Sequence, residues 1–199
     1  MMQKAVFLDK DGTLIKDIPF NADPNLITLE SNCIKGLSML RDKGYLLIVI
    51  TNQSGIAEGY FSETDLLGVK NKIQSLLGEF NIELDGFYFC PNHPEAVVEK
   101  YRLDCDNRKP APGMLLQAAT DFNISLSHSW MIGDILHDIE AGNRAGCRSI
   151  LIDNGNETEW LWNGVNDPVY AAPNINEAAN YIISNSKPES IMQNAERLE

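Results

Sequence analysis

Asp9 and Asp11 stand two residues apart in Asp9-Lys10-Asp11-Gly12-Thr13-Leu14, directly after the apolar run Ala5-Val6-Phe7-Leu8. Such a run, ended by a glycine-containing turn, predicts a strand buried on both faces. Two carboxylates at its carboxyl end face the same way, and their repulsion needs an ordered cation or a shared proton. Mg2+ suits them, because it accepts a few carboxylates and keeps positions for water and phosphate oxygens. A calcium loop of the helix-loop-helix kind needs its glycine at the sixth position. Gly12 comes too early for that, so the calcium reading fails.

Three more groups of the right chemistry follow predicted strand ends. Thr51, with Asn52, comes after Tyr45 to Ile50 and offers a hydroxyl and backbone N–H groups for phosphate oxygens. Arg108 and Lys109 precede Pro110 and put two cations beside an acidic site. Asp134 follows Trp130-Met131-Ile132-Gly133, and Asp138 comes one helical turn later. A threonine at a strand end is usually only a turn, and a single lysine is usually solvated. Their succession, each after a strand, is hard to attribute to chance.

These groups need a scaffold that brings strand ends to one edge. Ser31 to Lys43 carries Ile34, Leu37 and Leu40 at helical spacing, and Gly44 sits just past its end. Ser62-Glu63-Thr64-Asp65 predicts a capping box opening a helix with the stripe Leu66, Val69, Ile73, Leu76, Leu77 and Phe80. Phe87-Tyr88-Phe89 is a short strand, Pro112 suits the first turn of a helix reaching Phe122, and Asp138 to Ala145 is a helix followed by strand Arg148 to Ile152. Strands alternating with helices predict an α/β fold, a Rossmann-like parallel sheet covered on both faces. The segments 16–28 and 90–112 are loops, and there is no room for a large cap domain. One domain over 1–185 with a polar tail over 186–199 is expected.

The segments Thr51-Asn52-Gln53-Ser54-Gly55-Ile56-Ala57, Cys90-Pro91-Asn92-His93-Pro94-Glu95, Arg108-Lys109-Pro110-Ala111-Pro112-Gly113-Met114 and Met131-Ile132-Gly133-Asp134, together with the first motif, give the chain a marked likeness. It resembles the haloacid dehalogenase (HAD) superfamily of phosphohydrolases from residue 4 to about 153. Within it, the chain is similar to the group holding heptose 1,7-bisphosphate 7-phosphatases and histidinol-phosphate phosphatases. The resemblance implies Asp9 as nucleophile, Asp11 as acid/base, Thr51 and Lys109 as phosphate ligands, and Asp134 as a metal ligand. It thus implies a Mg2+ site at Asp9, Asp11 and Asp134, and an aspartyl-phosphate intermediate.

The resembled group also binds structural zinc through a Cys-x-His and Cys-x-Cys set. Cys90 and Cys105 are retained here, but Asn92 and Asn107 occupy the other two positions. Two thiolates, even with neighbouring His93, do not complete the four nitrogen and sulfur ligands of a structural zinc site. Zinc is therefore not expected.

With 16 basic and 28 acidic residues among 199, the net charge is −12. That argues against nucleic acid or an anionic membrane as partner. Four separated cysteines and no apolar leader predict a cytoplasmic protein with reduced thiols. In that setting the glycosylation patterns at Asn123 and Asn156 carry no weight. The expected reading is a monomeric phosphatase of a small phosphorylated sugar, most directly a heptose bisphosphate. Histidinol phosphate is the alternative substrate and a polynucleotide 3′-phosphate another. A non-catalytic phospho-ligand binder is the alternative of a different class, and retention of Asp9, Asp11, Lys109 and Asp134 speaks against it.

Overall fold

The computed structural model describes residues 2–186, so the polar segment beyond lies outside the described residues. Six strands, β1 (Lys4–Leu8), β2 (Tyr45–Asn52), β3 (Gly86–Cys90), β4 (Trp130–Gly133), β5 (Arg148–Ile152) and β6 (Tyr170–Ala172), form one sheet. Its order is β3-β2-β1-β4-β5-β6, and every neighbouring pair is parallel. The chain moves outward in one direction from β1 to β3 and in the other from β4 to β6. In open sheets of this kind a ligand crevice opens where the direction reverses, outside the carboxyl ends. Here that point lies between β1 and β4, paired through Phe7 with Met131 and Leu8 with Ile132.

Alternation along the strands explains why both faces are covered. Val6, Leu8, Leu47, Val49, Ile132 and Ile150 point to one face. There they pack with α1 (Ile34–Asp42), α3 (Glu63–Gly78) and α6 (Ile175–Asn185). Ala5, Phe7, Ile48, Ile50 and Met131 point to the other, against α4 (Gly113–Phe122) and α5 (Leu136–Ala145). A strand such as β1, buried on both sides, must therefore be apolar throughout.

Several local expectations hold. The side chain of Ser62 accepts from Asp65 N while the Asp65 carboxylate accepts from Ser62 N, which closes the capping box of α3. Gly44, with φ of +75°, follows the end of α1 in the left-handed conformation that favours glycine. Others differ. Pro112 is the N-cap of α4 and not within its first turn. Phe80 is exposed, because α3 ends at Gly78 and a turn through Asn81 (φ +57°) carries the ring out of the stripe. The short α2 (Ser54–Ala57), β6 and α6 carry no expectation from the sequence.

Insertions over the crevice are small. Residues 9–33 hold one 3-10 turn, Pro24–Leu26, and residues 91–112 another, Glu99–Tyr101. Neither is a cap domain, which leaves the carboxyl edge of the sheet open. Among the described residues no helix is long and apolar enough to cross a membrane.

Candidate active site

Asp9 leaves the end of β1 with its N–H bonded to Ile132 O of β4, which pins it over the reversal point. Lys109 reaches it from the loop after β3, and the Lys109 ammonium contacts the Asp9 carboxylate, Ile50 O at 3.0 Å and Asp138 Oδ1 at 2.5 Å. Asp9, Asp134 and Asp138 bring one carboxylate oxygen each to within 4.8 Å of one another, and all three residues are buried. Gly133 makes this possible, since a Cβ there would collide with the Asp138 side chain.

Of these three buried carboxylates, Asp9 and Asp138 contact the buried ammonium of Lys109, and Asp134 does not. Burial raises Asp9 well above the usual carboxylate range, Lys109 opposes that rise, and Asp138, Asp134 and Asp11 add to it. Asp134 is pushed up to about 7 by burial and by Asp138, against donation from Asn156 and Thr13. Burial alone would lower the Lys109 ammonium, but Asp138 and Asp9 hold it above its ordinary value. The cluster thus lacks positive charge, and its donors are hard oxygens. That donor set fits Mg2+.

Asp11 stands apart from the three. Its Oδ1 lies 2.6 Å from Lys10 Nζ and its Oδ2 accepts from Gln53 Nε2 at 3.1 Å. The resemblance implies a Mg2+ site at Asp9, Asp11 and Asp134, and in the structure the carboxylate oxygens that lie together are those of Asp9, Asp134 and Asp138. The Asp11 side chain, 32% exposed, instead borders a cavity of about 220 Å3 with Asp17, Phe20 and Gln53.

Thr51 is buried at the end of β2, and its hydroxyl oxygen accepts from Gln53 Nε2 at 2.9 Å. Asn52 has another task. Its side chain donates to Lys109 O and accepts from Lys109 N, both at 3.0 Å, and so fixes the backbone that carries the ammonium. The Lys109–Pro110 peptide is cis. Arg108 donates to Ser54 Oγ and Asn92 O, each at 3.0 Å. It borders a second opening of about 470 Å3 with Lys109, His93 and His137.

Comparison with known proteins shows the family. A family model described as HAD-hydrolase-like matches residues 107–178. The chain is 43% identical over 151 residues to the D-glycero-beta-D-manno-heptose-1,7-bisphosphate 7-phosphatase of Pasteurella multocida, covering 76% of this chain and 82% of that protein. The chain belongs to the HAD-like hydrolases. A HAD-like phosphatase from Mesorhizobium loti has the same architecture, with a TM-score of 0.81 and 29% identity over 94% of this chain and 90% of its own. The D,D-heptose 1,7-bisphosphate phosphatase of B. bronchiseptica, solved with magnesium and phosphate, shares the fold. Its TM-score is 0.75 at 23% identity, over 92% of this chain and 100% of its own.

In this HAD-like hydrolase the Cys90 loop is organised by contacts among Cys90, Asn92 and Cys105. Cys90 Sγ and Cys105 Sγ are 3.6 Å apart, and Asn92 Nδ2 donates to Cys105 Sγ at 3.4 Å. His93 Nδ1 accepts from Glu95 N at 3.1 Å. Asn107 Oδ1 lies against Gly113, where an added Cβ would meet it at 2.5 Å. Burial pushes the Cys90 thiol up to about 11. Burial acts the same way on Cys105, but donation from Asn92 and from the Asn107 backbone takes it below its ordinary value.

Sequence reasoning gave no function to Gln53, Asn154 or Asn156. Gln53 bridges Asp11 and Thr51. Asn154 and Asn156 touch Gly12 and Asp134 from the loop after β5. A signal for Gln53 existed in the Thr51-Asn52-Gln53 segment. For the two asparagines there was none, because their partners lie more than twenty residues away in sequence.

Proposed function

We propose that this HAD-like hydrolase is a Mg2+-dependent phosphatase that removes the 7-phosphate of a D-glycero-D-manno-heptose 1,7-bisphosphate through an acyl phosphate on Asp9. The observation that carries it is the Asp9 carboxylate at the end of β1, with Lys109 against it and Asp134 and Asp138 alongside.

Mg2+ would be held by Asp9, Asp134 and the main chain near Asp11, with Asp138 beside them, and would supply positive charge between the two anions. The Asp9 carboxylate attacks phosphorus, the P–O bond to the sugar breaks, and the leaving alkoxide takes a proton from Asp11. Asp11 then removes a proton from a water that attacks the same phosphorus and frees Asp9. Lys109 and Thr51 hold the transferring oxygens as charge develops on them. Asn52 keeps Lys109 in place through its backbone, and Gln53 keeps Asp11 and Thr51 in register.

The names of relatives such as the Pasteurella protein support the heptose substrate. Arg108 beside Lys109 suits a second phosphate. Replacing Arg108 with Ala should raise KM for the bisphosphate by about tenfold, roughly 1.4 kcal/mol, and far less for the matching monophosphate. Equal effects in steady-state kinetics would remove Arg108 from the second phosphate. The purified chain tested against heptose bisphosphate, histidinol phosphate and a 3′-phosphorylated oligonucleotide should show its highest kcat/KM on the first. A preference for either of the others would overturn the substrate.

We also infer that the loop at Cys90 works without zinc and that residues 1–185 act as one monomeric unit. With Asn92 and Asn107 as neutral amides, protein prepared without added zinc should contain far less than one equivalent by elemental analysis. A content near one zinc per chain that disappears in Cys105→Ser would contradict this and make His93 a ligand.

A further inference from the structure

The loop that leaves β5 at Asp153 closes one wall of the carboxylate cluster. Asn154 Nδ2 donates to Gly12 O and Asn156 Nδ2 to Asp134 Oδ2, both at 2.7 Å. Asn154 also holds its neighbour, since its Oδ1 accepts from Asn156 N at 3.1 Å. Two amides from one turn thereby link the segment after β1 to the acid after β4. The packing has no slack: a Cβ on Gly12 (φ +78°) would strike Asp134 Oδ2 and the Asn156 amide. Further along, the Glu157 carboxylate accepts from Leu136 N at 2.7 Å, tying the same loop to the first turn of α5, which bears Asp138.

The other oxygen of Asp134 is held as well. Thr13 Oγ1 donates to Asp134 Oδ1 at 3.1 Å. A carboxylate gripped at both oxygens by fixed donors cannot rotate, yet each oxygen keeps a further lone-pair direction for a cation. Donors of this kind set the orientation of metal-binding side chains, and their loss commonly weakens a site by about 10–100-fold.

We propose that Asn156 is a positioning residue for the Mg2+ site: it fixes the rotation of the Asp134 carboxylate, with Asn154 fixing Asn156. This rests on the reading of Asp9, Asp134 and Asp138 as that site. Asn156 contacts Asp134 through its side chain and Asn154 through its backbone N–H. Its contribution is to metal affinity.

Titration calorimetry of the substrate-free protein with Mg2+ tests this. Asn156→Ala should weaken Mg2+ binding by at least about tenfold. A cooperative melt in metal-free buffer should show that the variant is folded, at a temperature lowered by no more than the loss of one hydrogen bond explains. Asn154→Ala should weaken binding in the same direction and by less, and Asn156→Gln, which keeps a donor, should recover part of the loss. If Asn156→Ala is unstable, Asn156→Ser, whose hydroxyl is too short to reach Asp134, should show the same weakening. Mg2+ affinity unchanged in Asn156→Ala or Asn156→Ser, while Asp134→Asn abolishes binding, would overturn the role of Asn156 and leave the metal site standing. An unaltered chain that takes up no Mg2+ would remove the site itself, and this role with it.

Discussion

Asn in place of Asp9 should give a folded protein with turnover reduced by at least about a thousandfold, some 4 kcal/mol of barrier. The amide is nearly isosteric with the carboxylate but is too weak a nucleophile to attack phosphorus. The fold should tolerate the exchange for a specific reason. Lys109 loses the charge of Asp9, though an amide oxygen there can still accept, and it keeps Asp138 Oδ1 at 2.5 Å and Ile50 O at 3.0 Å, so no buried ammonium is left unpaired. Retention of turnover within tenfold, with unchanged melting temperature, would rule out attack by Asp9.

Removal of divalent metal should be as severe. With EDTA present, phosphate release should stop, and added Mg2+ should restore it; full activity in metal-free buffer would contradict the site. The raised carboxylates give this a pH signature. In the metal-free protein Asp134 titrates near 7 and Asp9 is also raised, so the folded state keeps protons that the unfolded chain releases above about 4. The metal-free protein therefore loses stability as pH rises from about 4 to 7, and no further loss from Asp134 follows above that. Mg2+ needs the ionised carboxylates and must displace protons below that point. The rise in melting temperature on adding Mg2+ should accordingly be larger at about pH 8 than at about pH 5.5. The opposite order in thermal melts would mean that these carboxylates do not receive the ion.

How much of this was legible follows from where each signal resides. Asp9 could be read because its strand is apolar on both faces and ends in a turn, all within a few residues. The sheet could be read from the same kind of short apolar run in β2, β4 and β5. β6 could not, since it has three residues, two of them exposed. α6 carries three asparagines in eleven residues, and its apolar stripe shows its purpose only against α1 and the sheet. Asp138 was visible as a carboxylate one turn after Asp134, but its place beside Asp9 depends on Gly133 letting α5 start close to the strand end. The task of Asn52 depends on Lys109, and that of Asn156 on Asp134; neither contact leaves a mark in sequence spacing.

The measurement closest to the centre of the account is a phosphorus NMR time course with the purified chain, Mg2+ and heptose 1,7-bisphosphate. The sugar 7-phosphate signal should disappear as inorganic phosphate grows, while the 1-phosphate signal persists. Loss of the 1-phosphate first, or no release under conditions where histidinol phosphate is hydrolysed, would contradict it.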